Sequence, residues 1–383
     1  MRVLFITRGY PGLGRVMGAL ALNDLLSDLY KPDNYEAIFT SYLSGYTFLT
    51  ELGYKCEDMY PDTYYYRPNA FCNPFGIESQ VVQTIIIDFE PDLVVIDGEP
   101  LLINLITDIF KIPVLILTHP SDLHNPDVKD RAIDLFRYYY SHAELVIAHG
   151  ITRLPLGQKP LGGKAGDVIE CNTLVRTAIA DEGKRRRSEI DHSKGSTKIV
   201  GVMGGGSENV YKNFRSSTRT LAEWLIRASV EEKVDSLEIY CADQLLFEYL
   251  GKWQKKISFL KLMNKQAENT SSLIDADIIV GRSGRNLVSE MLTLGARSLM
   301  VTVTAEQYRS ADQYRTGEAA TNLTPSGKWI IINDGFSKFQ SSFHELIKLP
   351  PASPTWVPGN EWLKKNLTKL IQLPVSRKGE TYE

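Results

Sequence analysis

Short, almost wholly apolar runs bounded by Asp and Pro recur along this chain, and they limit its architecture more than any other feature. Residues 93–96 (Leu-Val-Val-Ile) and 114–117 (Val-Leu-Ile-Leu) are too short for buried helices and show no alternation of polar and apolar residues. Such runs fit strands of a parallel sheet that is covered on both faces. Between them lie longer stretches with helical spacing of apolar residues, at about 16–29, 77–89 and 128–141. The same alternation starts again at 199–203 and continues through strands expected at 237–240, 257–260, 278–280, 298–303 and 329–332. The chain is therefore read as α/β, with two βαβ series in tandem.

A length of 383 residues exceeds one ordinary core and suggests two domains. The break is placed at 183–196, where Lys184-Arg185-Arg186-Arg187 and then Asp191 to Ser196 interrupt the pattern. The domains are expected at 1–182 and 197–383, with a final amphipathic helix at about 361–373 able to pack back on the first. The basic run reads as a solvated surface, with a lipid-headgroup contact as the alternative. A net charge of -3 gives no support to nucleic-acid binding. Four dispersed cysteines (Cys56, Cys72, Cys171 and Cys241) suggest neither a disulfide framework nor a zinc site. With no run of about 18 apolar residues to span a bilayer, a cytoplasmic protein is expected, at most peripheral at a membrane.

Three constellations can carry chemistry. Gly204-Gly205-Gly206-Ser207 follows a strand and can let a ligand approach the backbone, or be only a tight turn. Residues 277–290 run from a buried strand through Arg282-Ser283-Gly284-Arg285 into a helix carrying Glu290. Ser283 and Gly284 can offer donors to a diphosphate, Arg282 or Arg285 can add charge, and Glu290 can accept both hydroxyls of a ribose. The alternative for Glu290 is a solvated helix face. Glu306-Gln307 lies beyond a strand end, where ligands of open α/β sheets sit. No DxD segment or metal-ligand spacing appears, so no essential metal and no tightly bound cofactor is expected.

On these residues the chain resembles the MurG-type (family 28) glycosyltransferases. Arg282-Ser283-Gly284 with Ser289-Glu290 looks like that family's donor-site signature, and 204–207 like its second glycine turn. Glu306-Gln307-Tyr308-Arg309-Ser310-Ala311 resembles its His-Gln-x-x-Asn-Ala segment. Gly14-Arg15-Val16-Met17-Gly18-Ala19-Leu20-Ala21-Leu22 resembles its first glycine turn and helix, with Gly12 and Gly14 expected on the acceptor side of the cleft, and His119 stands where the family has the first residue of a His-Glu-Gln-Asn segment. Residues 91–100 look like a sequence common in less characterised microbial relatives. The resemblance implies the GT-B arrangement, two facing Rossmann-like domains with parallel sheets. It implies a nucleotide-sugar donor, usually UDP-linked, in the second domain. Glu290 would hold the ribose, Ser283 and Gly284 the diphosphate, Gln307 the sugar, and residues 262–264 the base.

The implied activity is transfer of a sugar to an acceptor hydroxyl with inversion. A nucleotide-sugar hydrolase, an epimerase and a non-catalytic nucleotide-sugar-binding subunit are the alternatives. Where the family has a His near the reacting acceptor, this chain has Arg15. An arginine stays protonated and cannot be a general base, although it can neutralise a phosphate. His119 and Asp97, each following a strand, are the candidates for the base. A structural hydrogen bond is the other role open to His119, and a helix cap that open to Asp97. The acceptor is not identifiable: a lipid carrier, a glycan and a small molecule all fit. An aromatic-rich stretch at 60–75 could stack on it or pack in the core.

Overall fold

The computed structural model describes residues 1–10, 12–60, 76–126, 130–188, 197–204, 212–263, 269–303, 307–350 and 353–370. Within them two wholly parallel sheets form, with a small antiparallel hairpin beside the first. The first half contains β1 (Arg2–Thr7), α1 (Gly14–Tyr30), β2 (Glu36–Ser41), α2 (Ser44–Glu51), β3 (Cys56–Asp58), α3 (Gly76–Phe89), β4 (Leu93–Asp97) and β5 (Val114–Thr118). It continues with α4 (Pro120–Leu123), α5 (Asp130–Tyr140), β6 (Leu145–His149), the hairpin β7 (Pro160–Gly162) and β8 (Gly166–Asp167), and β9 (Ile169–Cys171). Its seven strands lie in the order β3-β2-β1-β4-β5-β6-β9.

After α6 (Thr177–Ser188) come β10 (Lys198–Val202), α7 (Lys212–Glu231), β11 (Ser236–Tyr240), α8 (Gln244–Gln254), β12 (Leu260–Met263), α9 (Thr270–Asp275) and β13 (Ile278–Arg282). The rest is α10 (Arg285–Leu294), β14 (Arg297–Thr302), α11 (Gln307–Thr321), β15 (Gly327–Ile331), α12 (Phe336–Lys348) and α13 (Gly359–Leu370). The six strands of the second sheet run β12-β11-β10-β13-β14-β15.

The continuous apolar runs are two-faced, as a doubly covered sheet requires. Val3, Phe5, Leu93 and Val95 pack under α1 with Val16 and Ala19, while Leu4, Ile6, Val94 and Ile96 pack on Val82 and Ile85 of α3. Each sheet thus has two apolar layers, which contribute most of the stabilisation. In both halves the strand order reverses beside the first strand, and every strand end there points to the same edge. Open α/β sheets bind ligands at such edges.

Three elements differ from the sequence reading. The strand expected at 257–260 lies at Leu260–Met263, where Leu260 and Leu262 point inward and Lys261 outward. The hairpin and β9 were not foreseen, because their two- and three-residue strands have no legible period. The stretch read as a linker, 183–196, starts inside α6, and 189–196 lie outside the described residues. Two of its arginines are engaged, while Lys184 and Arg185 are exposed: Arg186 donates to the Leu294 carbonyl (3.1 Å), and Arg187 to the Trp356 carbonyl (3.0 Å) and to Glu361. Among the described residues no helix is long and apolar enough to cross a membrane.

Helix α13 leaves the second half and closes the first. Leu363 and Leu367 are buried with Leu22 and Leu26 of α1. Lys364 reaches Asp28 at 2.9 Å. Leu363→Ala should therefore cost about 2–5 kcal/mol, the usual range for a buried leucine. A urea midpoint equal to the parent's would show that α13 is not part of this core.

Candidate functional site

Polar side chains gather where the strands of the first sheet end beneath the first turn of α1. Register pairs Thr7 of β1 with Asp97 of β4, and both side chains are fully buried. Arg15, on that first turn, donates to Asp97 Oδ1 at 2.5 Å. Its other terminal nitrogen donates to Asp122 Oδ1 (3.1 Å) and Oδ2 (2.8 Å). Asp122 Oδ2 also accepts from the Thr118 hydroxyl (2.9 Å) and the His119 N–H (3.3 Å). Asp122 sits here because Pro120 starts a short helix and an acidic residue in its first turn can bond back to the residue before it. Gly98, next in the chain, has φ +97, and a Cβ there would come within 2.6 Å of Arg15 Cδ. Both the backbone angle and the guanidinium's approach need glycine.

Environment separates the two carboxylates. Burial pushes Asp97 up to about 6 despite Arg15. Burial also works to raise Asp122, but Arg15 and Arg285, with the Arg15 and Thr118 hydrogen bonds, bring it down to about 2. Asp97 Oδ2 is buried without a hydrogen-bond partner. A pair of carboxylates pushed apart in this way is the usual mark of divided acid–base roles.

His119 is 2% exposed, and its Nδ1 lies 3.1 Å from the His149 carbonyl. A carbonyl only accepts, so Nδ1 carries the proton. Burial, and then Arg285 and His149, put His119 well below the ordinary histidine range. His149, whose ring lies tilted against that of His119 with centroids 4.6 Å apart, accepts from the Leu174 N–H at 3.2 Å. Burial and the nearby arginines lower it to about 3. Both rings are thus neutral hydrogen-bonding groups, the structural role open to His119.

The second sheet offers the opposite wall. Gly284 precedes α10, and no acidic residue occupies that helix's first turn. The first backbone N–H groups of α10 have no helical acceptor, which favours an anion. Ser283, expected to offer its hydroxyl, is instead fully buried and bonded to Thr302 Oγ1 at 2.9 Å. Its N–H is engaged by the Val301 carbonyl (3.0 Å), and that of Gly284 by the Arg282 carbonyl (2.8 Å). Arg285 crosses to the first half, donating to Ser121 Oγ at 3.1 Å. Asn286 donates to the Gly14 carbonyl (2.7 Å) and Arg315 to Asn125 (3.2 Å). Arg15, Gly14, Asp97, Asp122, Arg285 and Asn286 therefore share one interface between the sheets.

Glu290, on α10, is only 5% exposed and is not on a solvated face. Arg176 grips it with two parallel hydrogen bonds, Nε to Oε1 (2.7 Å) and Nη2 to Oε2 (2.8 Å). Gly204, at φ +137, follows β10, and Arg282 ends β13. Gly12 precedes α1, and Gln307 opens α11. Gly205, Gly206, Ser207, Asn264 and Glu306 lie outside the described residues, as does most of the aromatic stretch at 60–75. Among the described residues no group of three His, Cys, Asp or Glu side chains is placed to hold a metal ion.

Comparison with solved structures assigns the architecture. The chain superposes on MurG of Acinetobacter baumannii with a TM-score of 0.58 at 14% identity, covering 96% of this chain and 99% of that one. The fold is GT-B. The same GT-B frame matches UDP-GlcNAc 2-epimerase from Neisseria meningitidis bound to UDP-GlcNAc (TM-score 0.56, 14% identity, 96% and 100% covered). It also matches the glycotransferase of kitacinnamycin (TM-score 0.57, 12% identity, 97% and 99% covered). No protein-family model matches the sequence, and no curated protein matches it either.

The buried histidines make stability pH-dependent. Both bind a proton more weakly folded than unfolded, so the unfolded chain gains protons first as pH falls below about 6.5. Each such group costs up to about 1.4 kcal/mol per pH unit. Asp97 acts oppositely between about 6 and 3.8, one group against two. The urea midpoint should drop from pH 7 to pH 5, and less steeply in His149→Asn, whose amide oxygen can take the Leu174 N–H. Equal slopes in the two proteins would exclude His149 as a buried neutral group.

Proposed function

We propose that this chain is a glycosyltransferase that moves a sugar from a UDP-linked donor to an acceptor hydroxyl, with inversion. The observation that carries this is the facing of two lips: a nearly buried Glu290 behind an uncapped helix N-terminus, and across from it a carboxylate, Asp97, with an unpartnered oxygen. Two domains, 1–182 and 197–383, would meet there. The second lip has what a nucleoside diphosphate needs, with α10 and Arg285 for phosphate charge and Glu290 for the ribose. The UDP-GlcNAc bound by the Neisseria meningitidis neighbour supports a uridine donor.

In this reading Asp97 takes the acceptor's proton as the new C–O bond forms and the bond to the diphosphate breaks. A carboxyl poised near neutrality suits that role better than His119, whose low proton affinity makes it a weak base. Arg15 orients Asp97 and, held between two carboxylates, is not a phosphate ligand.

A 2-epimerase is the second reading, favoured by the equally good superposition on the Neisseria meningitidis enzyme. Incubation with UDP-GlcNAc, followed by NMR, separates the chemistries. Transfer releases UDP only with an acceptor, hydrolysis releases UDP without one, and epimerisation inverts C2 and releases none.

For the donor site, a ligand at ~100 times its dissociation constant should stabilise the fold by about 2.7 kcal/mol. UDP should raise Tm where GDP, ADP and NAD do not. Glu290→Ala should weaken UDP binding by about 1–3 kcal/mol. Unchanged affinity in that folded variant removes Glu290 from the site. Asp97→Asn should leave UDP affinity intact and lower turnover by about 10²–10⁴-fold. Parental turnover dismisses Asp97 as the base.

A further inference from the structure

Arg176 belongs to neither sheet. It stands in the crossing segment between β9 and α6, and that segment is pinned from both sides. The Leu174 N–H donates to His149 Nδ1 at 3.2 Å, which ties it to the first lip. Asn360 of α13 holds both backbone groups of Val175, accepting from its N–H at 2.9 Å and donating to its carbonyl at 2.8 Å. From this fixed base the guanidinium reaches Glu290 with Nε and Nη2. Its remaining nitrogen, Nη1, donates to Asn269 Oδ1 (2.6 Å) and Thr270 Oγ1 (2.9 Å), where α9 begins.

Such a two-point grip fixes more than charge. A glutamate carboxylate rotates freely about its last torsion unless a planar partner sets it. Here the guanidinium plane sets it. Each carboxylate oxygen has two lone-pair sites, and the fork takes one of each. The site left on each oxygen is the pattern that two vicinal hydroxyls can fill.

We infer that Arg176 is a positioning and specificity-determining residue: it locks the Glu290 carboxylate in the rotation that reads a ribose cis-diol, so that the chain prefers ribonucleotides to nucleotides lacking those hydroxyls. The inference rests on Glu290 being the ribose ligand. Two buried charges joined only for stability would gain nothing over an apolar pair. A diol-reading carboxylate gains the orientation it needs.

Binding of UDP and of 2′,3′-dideoxy-UDP to the full chain, measured by titration calorimetry, tests it. The parent should bind UDP about 10-fold or more tightly than the dideoxy analogue, the worth of roughly 1.4 kcal/mol in hydrogen bonds. In Arg176→Gln that ratio should fall toward 1, as in Glu290→Ala, and the double variant should lose no more. Arg176→Lys, which keeps charge without the fork, should lose the ratio as well. Asn269→Ala, a gentler change that removes one of the two acceptors of Nη1 and leaves Thr270, should lower it partway. Both ligands are measured on one preparation, so a partly unfolded variant weakens both alike and leaves the ratio unmoved. A parental ratio in Arg176→Gln or Arg176→Lys overturns the inference and leaves Glu290 as ribose ligand. A ratio near 1 in the parent, or no binding of UDP, removes that reading and the inference with it.

Discussion

A guanidinium buried between two carboxylates organises the first lip of this molecule, and much else depends on it. Taking Arg15, Asp97 and Asp122 out of water is expensive, and replacing such a group by apolar side chains often leaves stability unchanged or improves it. The local backbone is nevertheless shaped around it. Gly98 has positive φ and no side chain where Arg15 passes, and Pro120 starts the short helix that brings Asp122 back to its own N-terminus. Structure that accommodates a costly charge cluster at a strand edge points to chemistry rather than to folding.

The cluster also fixes the two-sheet geometry. Gly14, one residue before Arg15, gives its carbonyl to Asn286 of α10, and Ser121, one residue before Asp122, receives Arg285. Two of the three residues that build the first lip, Arg15 and Asp122, thus have a neighbour in sequence that touches the second half. The crossing segment adds a third link, since His149 holds Leu174, two residues before the Arg176 that grips Glu290. Strand ends, helix N-termini and the crossover meet at one interface because parallel sheets put all their carboxyl ends on the same side.

Much of this was legible in the sequence, and the remainder follows a physical pattern. The runs at 93–96 and 114–117 give buried parallel strands because burial on both faces removes every polar residue. Glu290 could be placed on a helix after a Ser-Gly turn, since strand, turn and helix are contiguous. Its partner could not, because Arg176 lies 114 residues away and no local spacing encodes a contact between distant segments. Asp122 lay within reach of sequence reasoning: it stands three residues after His119 with Pro120 between, a spacing that favours a bond back to the helix start. His119 illustrates the reverse case. Its position after a strand suggested a base, while the structure sets it against a carbonyl and a second ring, and burial lowers its proton affinity. Ser283 likewise turns its hydroxyl inward, leaving the backbone of α10 as the donor at that turn.

Sharing the GT-B fold with both transferases and 2-epimerases, the chain must owe its chemistry to what is individual in its cleft. The nucleotide side can be common to all of them, because holding a nucleoside diphosphate asks only for an anion-binding helix end and a diol-reading carboxylate. The first lip differs in kind. A residue that cannot lose its proton, Arg15, stands where the MurG-type family has a histidine. On the proposed reading the acid–base role passes to Asp97, a neighbour whose proton affinity that arginine itself adjusts. Arg15 binds one oxygen of Asp97 and lowers its affinity, burial raises it, and the balance lies near neutrality. Losing either influence would take Asp97 away from the pH at which a carboxyl can both accept and return a proton. On that reading an arginine at position 15 is compatible with catalysis, the proton being taken by a carboxylate that the arginine orients.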